Sequence, residues 1–259
     1  MKNIIVIKLG GIAIENLNDA FIQQIKAWHL ENKKIIIVHG GGQVISDLLT
    51  KNNHSTIKID GMRVTAKNDL PIIYDALINI VGHQLLVRLK ESNLEFFQFK
   101  EKIKELVSAE FLNKNIYGYV GKVKEINTML LENILSRDII PIITSLGVNE
   151  QGEYLNVNAD HLATAIAKRL KVEKLVYMTD VPGVIEKDKT LATLTSKEAK
   201  TKIENKIITG GMIPKIESAI QTVESGVESI LIANNLQKGT IIRLSLIHIS
   251  EPTRRTPIS

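Results

Sequence analysis

Lys8, Arg63, Asp160 and Lys215 are the charged residues whose neighbours point to chemistry. Each stands within a few residues of glycines or clustered polar side chains at the end of an apolar run or the start of a helical one. The run Ile35-Ile36-Ile37-Val38 ends in His39 and three glycines, Gly40-Gly41-Gly42, after which Val44, Ile45, Leu48 and Leu49 recur at helical spacing. The pattern reads as strand, glycine turn, helix. Backbone N–H groups at such a turn, with the N-terminus of the next helix, gather an anion. One glycine satisfies a turn that needs positive φ, whereas three fit a ligand lying close against the backbone. The same device opens the chain, where Asn3 to Leu9 ends in Gly10-Gly11 with Lys8 at the mouth. Taken alone, Lys8 reads as a solvated strand-end lysine. Asp60-Gly61-Met62-Arg63 holds an arginine two residues beyond a glycine, either a bidentate clamp for a carboxylate or a surface arginine. Asn156-Val157-Asn158-Ala159-Asp160 precedes a helix whose apolar stripe is Leu162, Ile166 and Leu170. A single Asn or Asp suffices as N-cap, so two of these three polar side chains are left for another task. Gly210-Gly211-Met212-Ile213-Pro214-Lys215 again brings glycines and a lysine to a helix start.

The elements that must carry these residues alternate between strand and helix. Phe21, Ile25 and Trp28 mark one face of a helix between the first two strands, and the right-handed crossover rule brings both glycine loops to one sheet edge. A helix over 67–90 is expected from Leu77, Ile80, Val81, Leu85 and Leu89, with His83 in a structural role because no second ligand stands at metal spacing. Residues 91–116, rich in lysine and glutamate with Phe96, Phe97, Phe99 and Phe111, read as a solvated helix with one apolar face. Tyr117 to Val123 reads as a small β element, Asn127 to Leu135 as a helix, and Ile139 to Thr144 as a strand whose Pro141 disfavours central ladder pairing. Lys174 to Met178 is a strand followed by a turn at Thr179 to Val184, and Ser229–Ala233 and Thr240–Leu244 close the fold. Residues 245–259 have no apolar period and resemble translated adapter sequence, so they read as a non-native disordered tail.

Composition narrows the function. A chain of 259 residues, 44% hydrophobic and 24% charged, buries a full core as one large α/β domain or two joined lobes. The net charge of +5 is spread along the chain and aromatics are only 4%, which speaks against nucleic acid and suits an anionic small molecule. The absence of cysteine removes thiolate nucleophiles, disulfides and cysteine metal sites. No G-x-S-x-G elbow accompanies His39-Gly40, which weakens an esterase reading, and no G-x-x-x-x-G-K-[ST] occurs, which excludes a P-loop. Lys8 interrupts the first apolar run and no stretch approaches membrane-spanning length, so a soluble cytoplasmic protein without membrane partners is expected.

Taken in order, Lys8-Leu9-Gly10-Gly11, His39 to Gly42, Gly61-Met62-Arg63-Val64-Thr65, Asn156 to Asp160 and Gly210 to Lys215 resemble the motif set of the amino-acid kinase family, in the branch that phosphorylates N-acetylglutamate. The resemblance runs from about residue 2 to 244. It implies an α/β fold, an open, mainly parallel αβα sandwich, as a single domain over 1–244. Its part over about 1–155 would bind the acylated amino acid and its part over about 156–244 ATP. It implies that Gly41, Gly42, Arg63 and Asn156 contact the acylglutamate, with Arg63 on a carboxylate. Asp180, Val181, Pro182, Gly183, Val184, Ile185, Ile207, Ile208 and Thr209 would border the nucleotide, and Gly10 and Gly11 would add backbone donors to its phosphates. Lys8 and Lys215 would stabilise the transferring phosphoryl group, with Asp160 orienting both. Mg²⁺ would travel with ATP, leaving no protein metal site. The implied reaction is phosphorylation of the γ-carboxylate of N-acetyl-L-glutamate in arginine biosynthesis. The implied form is a homodimer without arginine feedback, since the chain starts directly on its first strand. The same reaction on N-succinylglutamate or a carrier-linked aminoadipate stays open. A non-catalytic nucleotide or amino-acid sensor is the reading from another class, and Lys8, Asp160 and Lys215 argue against it. Glu95 to Lys100 departs from the family where a glycine-containing turn is usual.

Overall fold

The computed structural model of the chain describes residues 3–10, 14 and 17–245; Gly11 and all of the expected tail after Ser245 lie outside the described residues. The chain opens with β1 (Ile4–Leu9), α1 (Asp19–Leu30), β2 (Lys34–His39) and α2 (Gly42–Lys51). A short hairpin follows, β3 (Lys58–Ile59) and β4 (Met62–Arg63), turned by Asp60 and Gly61, both at positive φ. Next comes the long helix α3 (Lys67–Lys90), which starts with a 3₁₀ turn and contains a π segment over Ala76–Val81. The middle of the chain holds β5 (Phe96–Gln98), α4 (Ile103–Leu106), β6 (Val107–Phe111), α5 (Lys114–Tyr117), β7 (Val120–Ile126) and α6 (Thr128–Ser136). It continues through β8 (Ile140–Thr144), β9 (Leu146–Val148), β10 (Tyr154–Val157), α7 (Ala159–Leu170) and β11 (Lys174–Met178). The last part comprises β12 (Ile185–Glu186), β13 (Lys189–Thr190), β14 (Thr193–Thr195), α8 (Ser196–Glu204), α9 (Met212–Glu224), β15 (Ser229–Ala233) and β16 (Thr240–Arg243).

One eight-stranded sheet organises the molecule, in the order β14-β16-β15-β11-β1-β2-β8-β5. Every registered pair in it is parallel except β15 with β16. Because side chains alternate along a strand, Ile4 and Val6 enter one apolar cluster while Ile5, Ile7 and Leu9 enter the other. Helices cover both faces, so the central strands are apolar along most of their length, as a buried parallel sheet requires. The αβα sandwich expected from sequence is borne out. Strand β1 lies between β2 and β11, so successive crossovers leave it in opposite directions. That reversal opens a crevice at the carboxyl ends of the strands, where α/β sheets bind ligands.

Three local expectations are corrected. Residues 91–116 are not a solvated helix. They supply edge strand β5, then β6, which joins β7, β9 and β10 in a small closed barrel. Phe99 is fully buried and meets Phe97 edge to face. Pro141 sits in an interior strand after all. Ile140 N–H donates to the Glu95 carbonyl on the β5 side, so the Pro141 nitrogen faces β2, whose register with β8 starts one residue later at Ile37 and Ile142. Finally, α3 has 24 residues and is long and apolar enough to cross a membrane by length and composition. Its apolarity has a use within the fold. Ile73, Leu77 and Ile78 enter one sheet-face cluster, and Val81, Leu85 and Leu89 enter the other.

Candidate active site

The carboxyl ends of β1, β2, β8 and β11 deliver the polar residues to one crevice. Register aligns Leu9 with His39 and Lys8 with Tyr177, so the two early glycine loops and the turn after β11 are neighbours in space. Helix α2 starts at Gly42 behind an N-cap, Gly41, that offers no side-chain acceptor. Its first N–H groups are left for a ligand. Gly41 has a steric reason as well: a Cβ there would stand 2.6 Å from Ile45 and 3.1 Å from Leu77. Helix α9 likewise begins behind Gly211 without a side-chain cap. At α7 the cap is Asn158, whose Oδ1 accepts from the N–H groups of Asp160 and His161 at 2.8 and 3.2 Å. Asn156 and Asp160 are therefore the two polar side chains that capping does not use.

Two cavities meet here. The smaller, about 200 Å³, is bounded by Gly40 to Gly42, Arg63 and Asn156. Arg63 is buried, and its Nη2 donates to the Gly42 carbonyl at 3.0 Å and to Ser46 Oγ at 2.7 Å. Its Nη1 is buried without a partner. Burial pulls the guanidinium pKa down and the Asp69 carboxylate opposes it; at this end of the scale the group stays cationic. A half-satisfied, buried guanidinium beside uncapped helix N–H groups is chemistry that suits a carboxylate. Asn156 Nδ2 donates to Thr65 Oγ1 at 3.0 Å, and Thr65 Oγ1 to the Arg63 carbonyl, so the asparagine and the arginine segment are fixed together.

The larger cavity, about 480 Å³, is walled by Tyr177 to Asp180 from β11 and its turn and by Gly211, Pro214, Lys215 and Ser218 from α9. Lys8, Gly10, Gly61, Met62, Asn158 and Asp160 border both cavities. Lys8 Nζ is paired with Asp160 Oδ1 at 2.8 Å. Lys215 Nζ donates to Thr179 Oγ1 at 3.1 Å instead, and Thr179 Oγ1 donates to Asp180 Oδ1 at 2.8 Å. That hydrogen bond, Asp180's own backbone N–H and the Lys215 charge hold the Asp180 carboxyl below the usual range. Asp160 is thus paired with Lys8, whereas Lys215 is held by Thr179 in the turn after β11.

Of the residues expected to border the nucleotide, Asp180 lines the larger cavity. Val184 and Ile208 point into the apolar core, because their side chains pack beneath the turn. Val184 N–H is bonded to Thr240 Oγ1, and Gly183 packs against the same threonine. Val181, Pro182, Ile185, Ile207 and Thr209 do not line either cavity. Gly11 lies outside the described residues. Sequence reading passed over Tyr177, Thr179 and Ser218. Thr179 stands beside a selected Asp180 at a strand end and carried a signal; Tyr177 and Ser218, inside apolar stripes, carried none.

A glycine-lined pocket with a half-satisfied arginine, opening past a lysine–aspartate pair into a larger cavity that holds a second lysine at the switch point of a parallel sheet, suits the transfer of a charged group between two small molecules. The chain belongs to the amino acid kinase family, whose model matches residues 3–234. It is 96% identical over 243 residues to the acetylglutamate kinase of Staphylococcus epidermidis, a match covering 94% of this chain and 99% of that protein. The acetylglutamate kinase of Streptococcus gordonii is 50% identical over 242 residues, covering 93% and 99%. Among solved structures, smu.665 from Streptococcus mutans UA159 superposes with a TM-score of 0.87 at 45% identity, covering 95% of this chain and all of that one.

Proposed function

We propose that this kinase transfers the γ-phosphoryl group of ATP to the γ-carboxylate of N-acetyl-L-glutamate, a step of arginine biosynthesis. The observation that carries the reading is the shared border of the two cavities, where Lys8 and Asp160 stand between an arginine-lined pocket and a lysine-lined one. The names and near-complete coverage of the relatives support it.

The smaller cavity takes the acylated amino acid and the larger takes ATP. Arg63 grips one carboxylate of the substrate through its free Nη1, which leaves the other carboxylate directed to the shared border. That nucleophile is already ionised at neutral pH and needs no general base. Its oxygen forms a bond to the γ-phosphorus as the bond to the ADP oxygen breaks, so no proton has to move. The residues' task is charge. Lys8 and Lys215 reach the transferring group from opposite sides, and each ammonium contributes about 4 kcal/mol to an anion about 4 Å away at an effective dielectric of about 20. Asp160 holds Lys8 in place through their ion pair, and Thr179 positions Lys215. Gly10 and the start of α9 add backbone N–H donors. Mg²⁺ would arrive on the triphosphate and would neutralise phosphate charge there. A cytoplasmic location and a homodimeric form belong to the same proposal, and sedimentation of the purified protein checks the dimer.

The test is hydroxylamine trapping of acyl phosphate with MgATP and, separately, N-acetylglutamate, N-succinylglutamate, glutamate and aspartate. The expected result is hydroxamate from N-acetylglutamate well above the others. Strongest turnover of the succinyl compound would reassign the acyl group, and no hydroxamate from any of them would remove the kinase reading.

A further inference from the structure

Thr65 closes the Gly61–Thr65 motif two residues beyond Arg63, and it is fully buried between β4 and α3. It lines neither cavity. Its Oγ1 donates to the Arg63 carbonyl at 3.0 Å, a local bond of a kind that threonine often makes with its own backbone. The same oxygen also accepts from Asn156 Nδ2 at 3.0 Å, across 91 residues of chain. An amide nitrogen can only donate, so the single hydroxyl proton is left for the Arg63 carbonyl and both bonds are made at once. Among the described residues the Asn156 side chain has no other hydrogen bond, so Thr65 sets the plane of its amide. The backbone of Thr65 is held too. Its N–H donates to the Tyr117 carbonyl at 3.0 Å, and its carbonyl accepts from Tyr119 N–H at 2.7 Å. The Tyr119 carbonyl in turn accepts from Asn156 N–H at 2.9 Å. Gly118, at a φ of 66°, lies so close that a Cβ there would stand 2.3 Å from the Thr65 carbonyl oxygen. Main chain and side chain of Thr65 thus tie the Arg63 segment to β10, and Arg63 and Asn156 both border the smaller cavity.

We propose that Thr65 is a positioning residue for the acylated amino acid, its hydroxyl fixing the Asn156 amide relative to Arg63. The inference rests on the function proposed above. Valine has the same shape and would fill the site without the cost of burying a hydroxyl, so packing alone does not call for threonine. Removing the hydroxyl leaves a carbonyl and an amide N–H without their partner, and the asparagine is then free to turn away from the pocket. The lysines and the larger cavity make no contact with Thr65. Its loss should therefore weaken the hold on the acceptor and leave the binding of ATP and the transfer step as they are.

The experiment is steady-state hydroxamate formation by Thr65→Val, Thr65→Ala and Thr65→Ser, with the KM for the acceptor and for ATP measured separately and melting temperatures recorded. Thr65→Val should raise the acceptor KM about tenfold, with kcat and the ATP KM within about twofold. Thr65→Ser keeps the hydroxyl and should return the acceptor KM to within about twofold of the unaltered value. Thr65→Ala lacks the hydroxyl without adding bulk, so it carries the test, with the same expected split, if Thr65→Val fails to fold. In an Asn156→Ala background, Thr65→Val should raise the acceptor KM by about threefold at most, because the amide it holds is gone. A normal acceptor KM in Thr65→Val would overturn the role, as would equal rises for both substrates, a fall in kcat alone, or effects that multiply in full with Asn156→Ala. A serine variant as impaired as the valine one would also refute it, since the hydroxyl would then not be what matters. Inactivity of the unaltered protein with every acceptor would refute the proposed function, and this role with it. An active parent whose Thr65→Val variant is indifferent refutes the threonine role alone.

Discussion

Replacing Lys8 with Met keeps the unbranched stem that β1 presents and deletes only the ammonium. In the intact protein that ammonium is 2.8 Å from Asp160 Oδ1, and its side chain is 16% exposed, against 40% for the carboxylate. A charge so placed attracts a phosphoryl oxygen by about 4 kcal/mol at an effective dielectric of about 20, but much of that is already felt by bound ATP. The part that develops only during transfer is what enters kcat. Loss of one preorganised donor typically costs about 10² to 10³ in kcat, or about 2.7 to 4 kcal/mol. The geometry adds a second contribution: without Lys8, the Asp160 carboxylate faces the phosphates with no partner. Lys8→Met should therefore fall at the slow end of that range. Asp160→Asn alone should slow the enzyme about tenfold by loosening Lys8, yet in the Lys8→Met background it should speed it by about threefold or more. The assay is hydroxamate formation at saturating substrates for the four members of the cycle, compared at equal thermal stability. Near-normal kcat in Lys8→Met, or single losses that multiply in the double variant, would refute the pairing argument.

Arg63→Lys retains the charge but not the two-pronged donor that holds Gly42 and Ser46 while presenting Nη1. The KM for N-acetylglutamate should rise about tenfold or more with little change for ATP, and equal rises in both would move Arg63 out of the substrate pocket. Lys215→Met should lower kcat by about 10² to 10³ with an unchanged melting temperature, and a normal kcat would make Lys215 a bystander at the cavity wall. His39 is fully buried, and desolvation lowers its pKa to about 4. Its folded pKa lies below its unfolded one, so the unfolded chain takes the proton first. This contribution to stability is complete above about pH 6.5 and is lost as pH falls toward 4. Between pH 7.5 and 5 the parent should lose about 2 kcal/mol more unfolding free energy than His39→Asn in urea titrations, and equal losses would contradict the buried neutral imidazole.

Much of the site was readable because its signals are local. A β-branched run ending in glycines specifies strand and turn within a few residues, and α2 and α9 start where glycines precede an apolar helical period. The polar cluster before α7 could be divided by counting: one capping side chain, Asn158, and two left over. The ordered motifs then identified the family. The segment over 91–116 failed for the opposite reason. Its phenylalanines answer to partners far along the chain, with β5 paired to β8 and β6 to β7, and strands so short show no period of their own.

By itself, then, the sequence determined the α/β alternation, the glycine loops and the five motifs, because strand, turn and helix starts follow from side-chain period and backbone freedom over short stretches. Tertiary structure decided which charges meet. Lys8 reads as a surface lysine until β1 lies between β2 and β11, and Lys215 is held by Thr179 rather than Asp160 because α9 brings it within reach of the turn after β11. Val184 and Ile208 were drawn into the core, although Ile185, Ile207 and Thr209 beside them are exposed. Such pairings are set by the packing of whole elements, which no local pattern encodes.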